Sequence, residues 1–182
     1  NKPDFEGLEK FEGQFLQTST WPQEEQNFSG KKVAIIGTGS SAIQSIPLIA
    51  EQADQLYVFQ RTPNYSIPSN NGPMDKEKER EVKSRYSDFR KENWQNGFGI
   101  AALSDESLIS ETELEVVHNQ LEENWKSAGL GFFGGYADIP IDAKSNEVAA
   151  NFVRNKIREI VKDPETARIL TPDYHIGGKR LC

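Results

Sequence analysis

Val33-Ala34-Ile35-Ile36-Gly37-Thr38-Gly39-Ser40-Ser41-Ala42 is the stretch on which the fold turns. Four apolar residues of largely β-branched character stand between Lys31-Lys32 and Gly37, too few for a helix, and predict a strand buried on both faces as in a parallel sheet. The run breaks at Gly37, and Ile43, Ile46, Leu48, Ile49 and Ala50 then supply the apolar face of a helix that ends before Gln55. Pro47 removes a backbone donor inside that helix, so a kink or a short helix is expected. Leu56-Tyr57-Val58-Phe59 reads as a second buried strand. Strand, glycine turn, helix and strand over about thirty residues make a βαβ unit, and the fold class is α/β, a Rossmann-like dinucleotide-binding arrangement with a parallel sheet.

The turn itself carries chemistry. Gly37-Thr38-Gly39-Ser40-Ser41-Ala42 fits G-x-G-x-x-G/A between a strand and a helix, where the pattern has a mechanism. Gly37 lets the chain turn tightly, Gly39 lets backbone approach a pyrophosphate, and Ala42 allows close helix–strand packing. The helix N-terminus then offers N–H groups and partial positive charge to the anion, and Gln44 on the same helix is counted with the cofactor-binding residues. An NAD site carries Asp or Glu at the end of the second strand to accept from the ribose 2′-OH. This chain reads Gln60-Arg61-Thr62 there, and Arg61 and Thr62 suit a 2′-phosphate, so NADP(H) is the expected cofactor. The bland alternative is a surface arginine that ends a strand.

Outward from this unit, residues 1–30 read as an approach arm of short extended pieces, and residues 31–182 as the dinucleotide-binding domain with a largely helical insertion over about 75–165. Two charge-dense helical segments are expected, Asp75 to Trp94 and Ser104 to Trp125, with solvated acidic faces. Residues 127–142, rich in glycine and aromatics, read as a loop. Val148, Phe152, Val153, Ile157, Ile160 and Val161 make the clearest amphipathic helix, which Asp163-Pro164 ends while capping a further short turn. Only two sheet strands are visible. The remaining strands are expected beyond Cys182, and the opening on Asn1 with Met74 as the only methionine reads as a piece of a longer protein.

Composition excludes several classes. With 28 acidic against 21 basic residues and a net charge of −7, the chain lacks the clustered cations of a nucleic-acid platform. No apolar run is long enough for a membrane span, and neither a span nor a signal peptide is expected. Cys182 is the only cysteine, which excludes intrachain disulfides and zinc cages and makes the cytoplasm the default compartment. His118 reads as solvent-facing and His175 as part of a turn, so no metal site is expected.

Phe11-x-Gly13-x-x-x-Gln17-x-x-x-Trp21-Pro22, followed by the glycine turn and Phe59-Gln60-Arg61-Thr62-Pro63, resembles the Baeyer–Villiger monooxygenases of the flavoprotein monooxygenase superfamily. Their fingerprint is F-x-G-x-x-x-H-x-x-x-W-P/D ahead of the NADP-binding glycines. Phe152-Val153-Arg154-Asn155-Lys156-Ile157, Asp163-Pro164-Glu165-Thr166-Ala167 and Lys179-Arg180 are similar to the cyclohexanone and phenylacetone monooxygenase group. The resemblance implies an enzyme in which NADPH reduces FAD and the reduced flavin, with O₂, oxygenates a ketone to an ester or lactone. It further implies that Lys179 joins Arg61 and Thr62 on the 2′-phosphate, and that Arg180 is the active-site cation, a permanent charge suited to stabilising an oxyanion. Gln17 stands where the fingerprint has histidine and cannot become a cation.

A chain with one glycine fingerprint should bind one dinucleotide, so FAD and ketone turnover are expected only in a parent enzyme containing the missing FAD domain. Self-association through uncovered sheet is expected of this piece. Two other readings stand beside this one: a stand-alone NADP-binding, redox-sensing module, and part of an N- or S-oxidising flavin monooxygenase.

Overall fold

Lys32–Ile36 (β1) and Gln55–Phe59 (β2) pair in parallel, in register from Lys32 opposite Gln55 to Ile36 opposite Phe59, with Ser40–Ala50 (α1) as the crossover. These belong to the first of two units, Asn1–Arg61 and Thr62–Cys182, in a computed structural model that describes residues 4–69, 72–96, 99–100, 106–127, 129 and 131–179. The helix α1 continues past Pro47 to Ala50, with the amide of Glu51 returning to the Pro47 carbonyl.

The strands differ from expectation in one respect. In β1 exposure alternates, Val33 and Ile35 half-buried and Lys32, Ala34 and Ile36 exposed, and Tyr57, Val58 and Phe59 of β2 are exposed as well. Burial on both faces needs cover on both faces, and among the described residues this unit has one α-helix, two short 3-10 turns and two strands. The arm is tied to the βαβ unit at its end. Phe28 is buried, its amide donates to Gln52 Oε1 at 3.2 Å, Ser29 bridges Ala53, and the Asp54 amide donates to the Lys31 carbonyl.

The second unit is helical. The segment expected as one helix from Asp75 divides at Arg85 into Lys76–Ser84 (α2) and Tyr86–Gln95 (α3), neither of which buries a residue. Asp75 caps α2 by accepting from the amides of Glu77 and Lys78. Leu114–Ser127 (α4) begins later than the expected Ser104, after a single 3-10 turn at Ile109–Glu111, and residues 101–105 lie outside the described ones.

Residues 127–142 are not simply a loop. Gly131–Gly134 (α5) is a helical turn, and Phe132, Tyr136 and Ile139 are buried in the core. Ala143–Ile160 (α6) presents Ala149, Ala150, Phe152 and Val153 to Val117 and Leu121 of α4, while Ile160 at its end is exposed. Phe152 gathers the rings of Phe132, Trp125 and His118 at 6.0, 6.1 and 5.3 Å. Each such buried side chain contributes roughly 1.5–3 kcal/mol over its exposed state. Pro164–Leu170 (α7) follows, capped by Asp163, whose Oδ2 accepts from the Thr166 amide at 2.7 Å. No helix among the described residues is long and apolar enough to cross a membrane.

Candidate functional site

The glycine turn closes the open end of the β-pair. Gly37 adopts φ 101°, a conformation only glycine takes without strain, and its amide donates to the Phe59 carbonyl at 2.8 Å. Gly39 is the N-cap of α1, with φ −77° and ψ −178° that any residue could adopt, and it brings no side-chain oxygen to its own helix. A Cβ built on Gly39 would meet nothing of the protein within 4 Å. Glycine at this position is therefore unexplained by internal packing and leaves open space at the N-cap of α1. Space and donors together fit a phosphate that approaches the backbone closely. Gln44 donates to the Ser40 carbonyl at 2.7 Å, which holds its side chain against the same turn.

Arg61 follows β2 and is exposed. Among the described residues no hydrogen bond or ion pair engages it. Thr62, half-buried, opens the second unit, and Thr38 is half-buried in the turn. Lys179 lies in the second unit, exposed, with its ammonium 5.1 Å from the centroid of the Tyr174 ring. Arg180 lies outside the described residues.

The aromatic-glycine arm has its own internal logic. A Cβ on Gly13 would stand 2.5 Å from Phe11 Cζ, so the phenyl ring occupies the place of the missing side chain. Gln17 is the N-cap of the turn Thr18–Thr20, its carbonyl accepting from Thr20, and Trp21 stands 6.3 Å from the Phe28 ring. Pro22 is half-buried beside it.

Sequence reasoning missed the residues that hold the segment leading to Lys179. Asn146, buried, donates to the carbonyls of Ile139 and Ile176, both at 2.9 Å, and accepts from the Ile176 amide at 3.0 Å. Arg154 donates to the Pro172 carbonyl at 2.9 Å and the Tyr174 carbonyl at 3.3 Å, and pairs with Glu147 at 2.8 Å. Tyr65, buried, donates to the Tyr174 carbonyl at 2.6 Å, and burial pushes its phenol up against the opposing effect of Arg154. Asn146 shares a helix face with Ala149, Ala150 and Val153, and a polar residue on such a stripe was the available signal.

Asp138 is the other buried polar centre. It accepts from the amides of Ile109 and Ser110 at 2.9 and 3.0 Å and from Ser145 Oγ at 2.6 Å. Burial pushes its carboxyl up, but the hydrogen bonds from Ser145, Ile109 and Ser110 together outweigh it and hold the group below the usual carboxylate range. No cluster of His, Cys, Asp and Glu able to hold a metal occurs among the described residues. His118 is exposed as expected, and His175 Nδ1 lies 3.2 Å from Asn146 Oδ1.

No protein-family model matches the chain. Individual relatives do. Cyclohexanone 1,2-monooxygenase from Acinetobacter sp is 34% identical over 187 residues, covering 100% of this chain and 34% of that protein. Phenazine N-monooxygenase PhzNO1 from Lysobacter antibioticus is 37% identical over 190 residues, covering 99% and 34%. Among solved structures, an oxidized steroid monooxygenase bound to NADP superposes with a TM-score of 0.90 at 43% identity, over 100% of this chain and 35% of that one. The chain thus spans about a third of the length of the curated relatives it matches, and its fold is a Rossmann-like α/β fold.

Proposed function

We propose that the chain, which is similar along its whole length to a stretch about a third as long as the Baeyer–Villiger-type flavin monooxygenases it matches, forms the NADP(H)-binding part of such an enzyme. The observation that carries the reading is the glycine turn, where Gly39, with open space at its Cβ position, is the N-cap of α1. In the parent enzyme bound NADPH would supply a hydride to FAD, and the reduced flavin with O₂ would supply the oxygen atom inserted into a ketone to give an ester or lactone. In this chain the amides of Ser40, Ser41 and Ala42 hold the pyrophosphate, and Arg61, Thr62 and Lys179 receive the 2′-phosphate. Arg180 provides the fixed cation of the active site. The arm from Phe11 through Gly13 and Gln17 to Trp21 and Pro22 is the family's signature segment, and glutamine at position 17 makes its role independent of protonation.

FAD belongs to a second domain, since the chain has one glycine fingerprint. The exposed Ile36, Tyr57, Val58 and Phe59 are the surface offered to missing sequence or to a second copy. A cytoplasmic location accords with the single cysteine. A second reading, part of an N-oxidising enzyme, is favoured by the identity to the phenazine N-monooxygenase. It shares the NADP site and differs only in the substrate oxygenated.

Calorimetric titration of the chain with NADP⁺ and with NAD⁺ at low salt tests the reading. NADP⁺ is preferred, and Arg61→Ala weakens NADP⁺ roughly tenfold or more while leaving NAD⁺ nearly unchanged. Equal affinity for the two dinucleotides, or none for either, sinks it.

A further inference from the structure

The segment from Tyr174 to Lys179 folds back on itself. Gly177 takes φ 90°, the Gly178 amide donates to the His175 carbonyl at 3.0 Å, and a Cβ on Gly178 would stand 3.0 Å from that carbonyl oxygen and 3.5 Å from Tyr174 Cδ2. The consecutive glycines permit a turn tight enough to return the Lys179 ammonium to 5.1 Å from the Tyr174 ring centroid, within cation–π range.

The ring is itself fixed from several sides. Its hydroxyl donates to the Pro63 carbonyl at 2.9 Å and lies 3.4 Å from Asn64 Oδ1. The Tyr65 ring meets it edge-on at 5.3 Å, and the Tyr174 carbonyl accepts from Tyr65 and Arg154. Pro63 directly follows Thr62. A single side chain therefore links the stretch that begins with Thr62 to the one that ends with Lys179, two stretches more than a hundred residues apart in sequence.

A lysine on the surface carries a compact charge on a four-carbon stem with much rotamer freedom, and that freedom is lost when it meets an anion. A lysine already resting on a ring loses less on binding. We infer that Tyr174 is a positioning residue for recognition of the cofactor's 2′-phosphate: acting through Lys179, it sets the preference for NADP over NAD. The inference rests on the proposed NADP site and adds to it a residue that would not itself touch the cofactor.

The test is a calorimetric comparison of NADP⁺ and NAD⁺ on the unaltered chain and on Tyr174→Leu, Tyr174→Phe, Lys179→Met and the Leu/Met double variant. Tyr174→Leu should lower the NADP⁺/NAD⁺ affinity ratio about fivefold. Tyr174→Phe, which keeps the ring, should retain most of it. In the Lys179→Met background, Tyr174→Leu should leave the ratio unaltered, because the residue it acts through is gone. A second readout needs no ligand: the Lys179 methylene resonances should be shifted upfield by the ring in the unaltered chain and in Tyr174→Phe, and return to ordinary positions in Tyr174→Leu. An unaltered chain with no NADP⁺ preference overturns the NADP reading and this inference with it. A preserved preference with equal weakening of both dinucleotides by Tyr174→Leu, or ordinary Lys179 shifts in the unaltered chain, overturns this inference alone.

Discussion

The two units stabilise themselves by different means. In Thr62–Cys182 a contiguous cluster from α4, α5 and α6 is almost wholly withdrawn from water, and its buried polar groups Asp138 and Asn146 are hydrogen-bonded several times over. In Asn1–Arg61, Phe28 and Ile49 are the buried hydrophobic residues among the described ones, while Ile36 is 72% exposed and Phe59 58%. The unit with the stronger core is mostly helical, and the unit with the weaker one carries the glycine turn. Parallel strands need a crossover between them, and α1 supplies it in a unit that buries few side chains.

The largest effect that would test this contrast is in the ring cluster. Phe152→Ala should cost about 3–5 kcal/mol, because it removes the side chain on which Phe132, Trp125 and His118 converge. Tyr57→Ser on the exposed side of β2 should change stability by less than about 0.5 kcal/mol. Urea denaturation followed by tryptophan fluorescence measures both, and similar costs at the two positions would dissolve the contrast.

Next in size is the buried carboxylate. Asp138→Asn should cost about 2 kcal/mol at neutral pH, since charge-assisted bonds to the Ile109 and Ser110 amides and to Ser145 are weakened together. The folded carboxyl titrates below its unfolded counterpart, so its contribution is fully present above about pH 4 and is lost as the pH falls through the folded value. Stability of the helical unit should therefore drop on acidification, and the drop should be shallower in Asp138→Asn. Parallel acid profiles for the two proteins would show that Asp138 is not the group responsible.

The smallest effect on stability separates the two glycines of the turn. Gly37→Ala forces a side chain into φ 101° and should cost about 1–2 kcal/mol. Gly39→Ala should leave the melting temperature almost unaltered, because its backbone is extended and its Cβ meets nothing, yet should weaken NADP⁺ binding. Thermal melts paired with titrations read both. A Gly39→Ala chain that binds as well as the parent would mean that the open space is not where phosphate sits.

Much of this was legible in the residues alone. The order β1, α1, β2 follows from apolar runs and the glycines between them, the cap at Asp163-Pro164 from side-chain chemistry, and α6 from its apolar stripe. Other features depend on partners distant in sequence. Whether β1 is buried on both faces is decided by what covers it, not by Val33 to Ile36. The break at Arg85 has no glycine or proline to announce it. Gly131 to Tyr136 has the composition of a loop, yet Phe132 and Tyr136 find α4 and α6 to pack against and become core. The latch on Tyr174 joins residues from Pro63 to Arg154 through backbone carbonyls, which no local pattern encodes.

Phe28 sits at the seam between the arm and β1, with its amide on Gln52 and the Lys31 ammonium 6.0 Å from its ring. For anyone trimming this gene, the consequence is practical. A polypeptide that starts at Lys31 looks tidy on paper, because the strand begins at Lys32. It would nonetheless leave Gln52 without the Phe28 amide and Ala53 without Ser29, and uncover apolar surface beneath the turn that precedes β2. Because Trp21 stands 6.3 Å from the Phe28 ring, the shortest version of the β1–α1–β2 unit worth expressing starts upstream of Trp21.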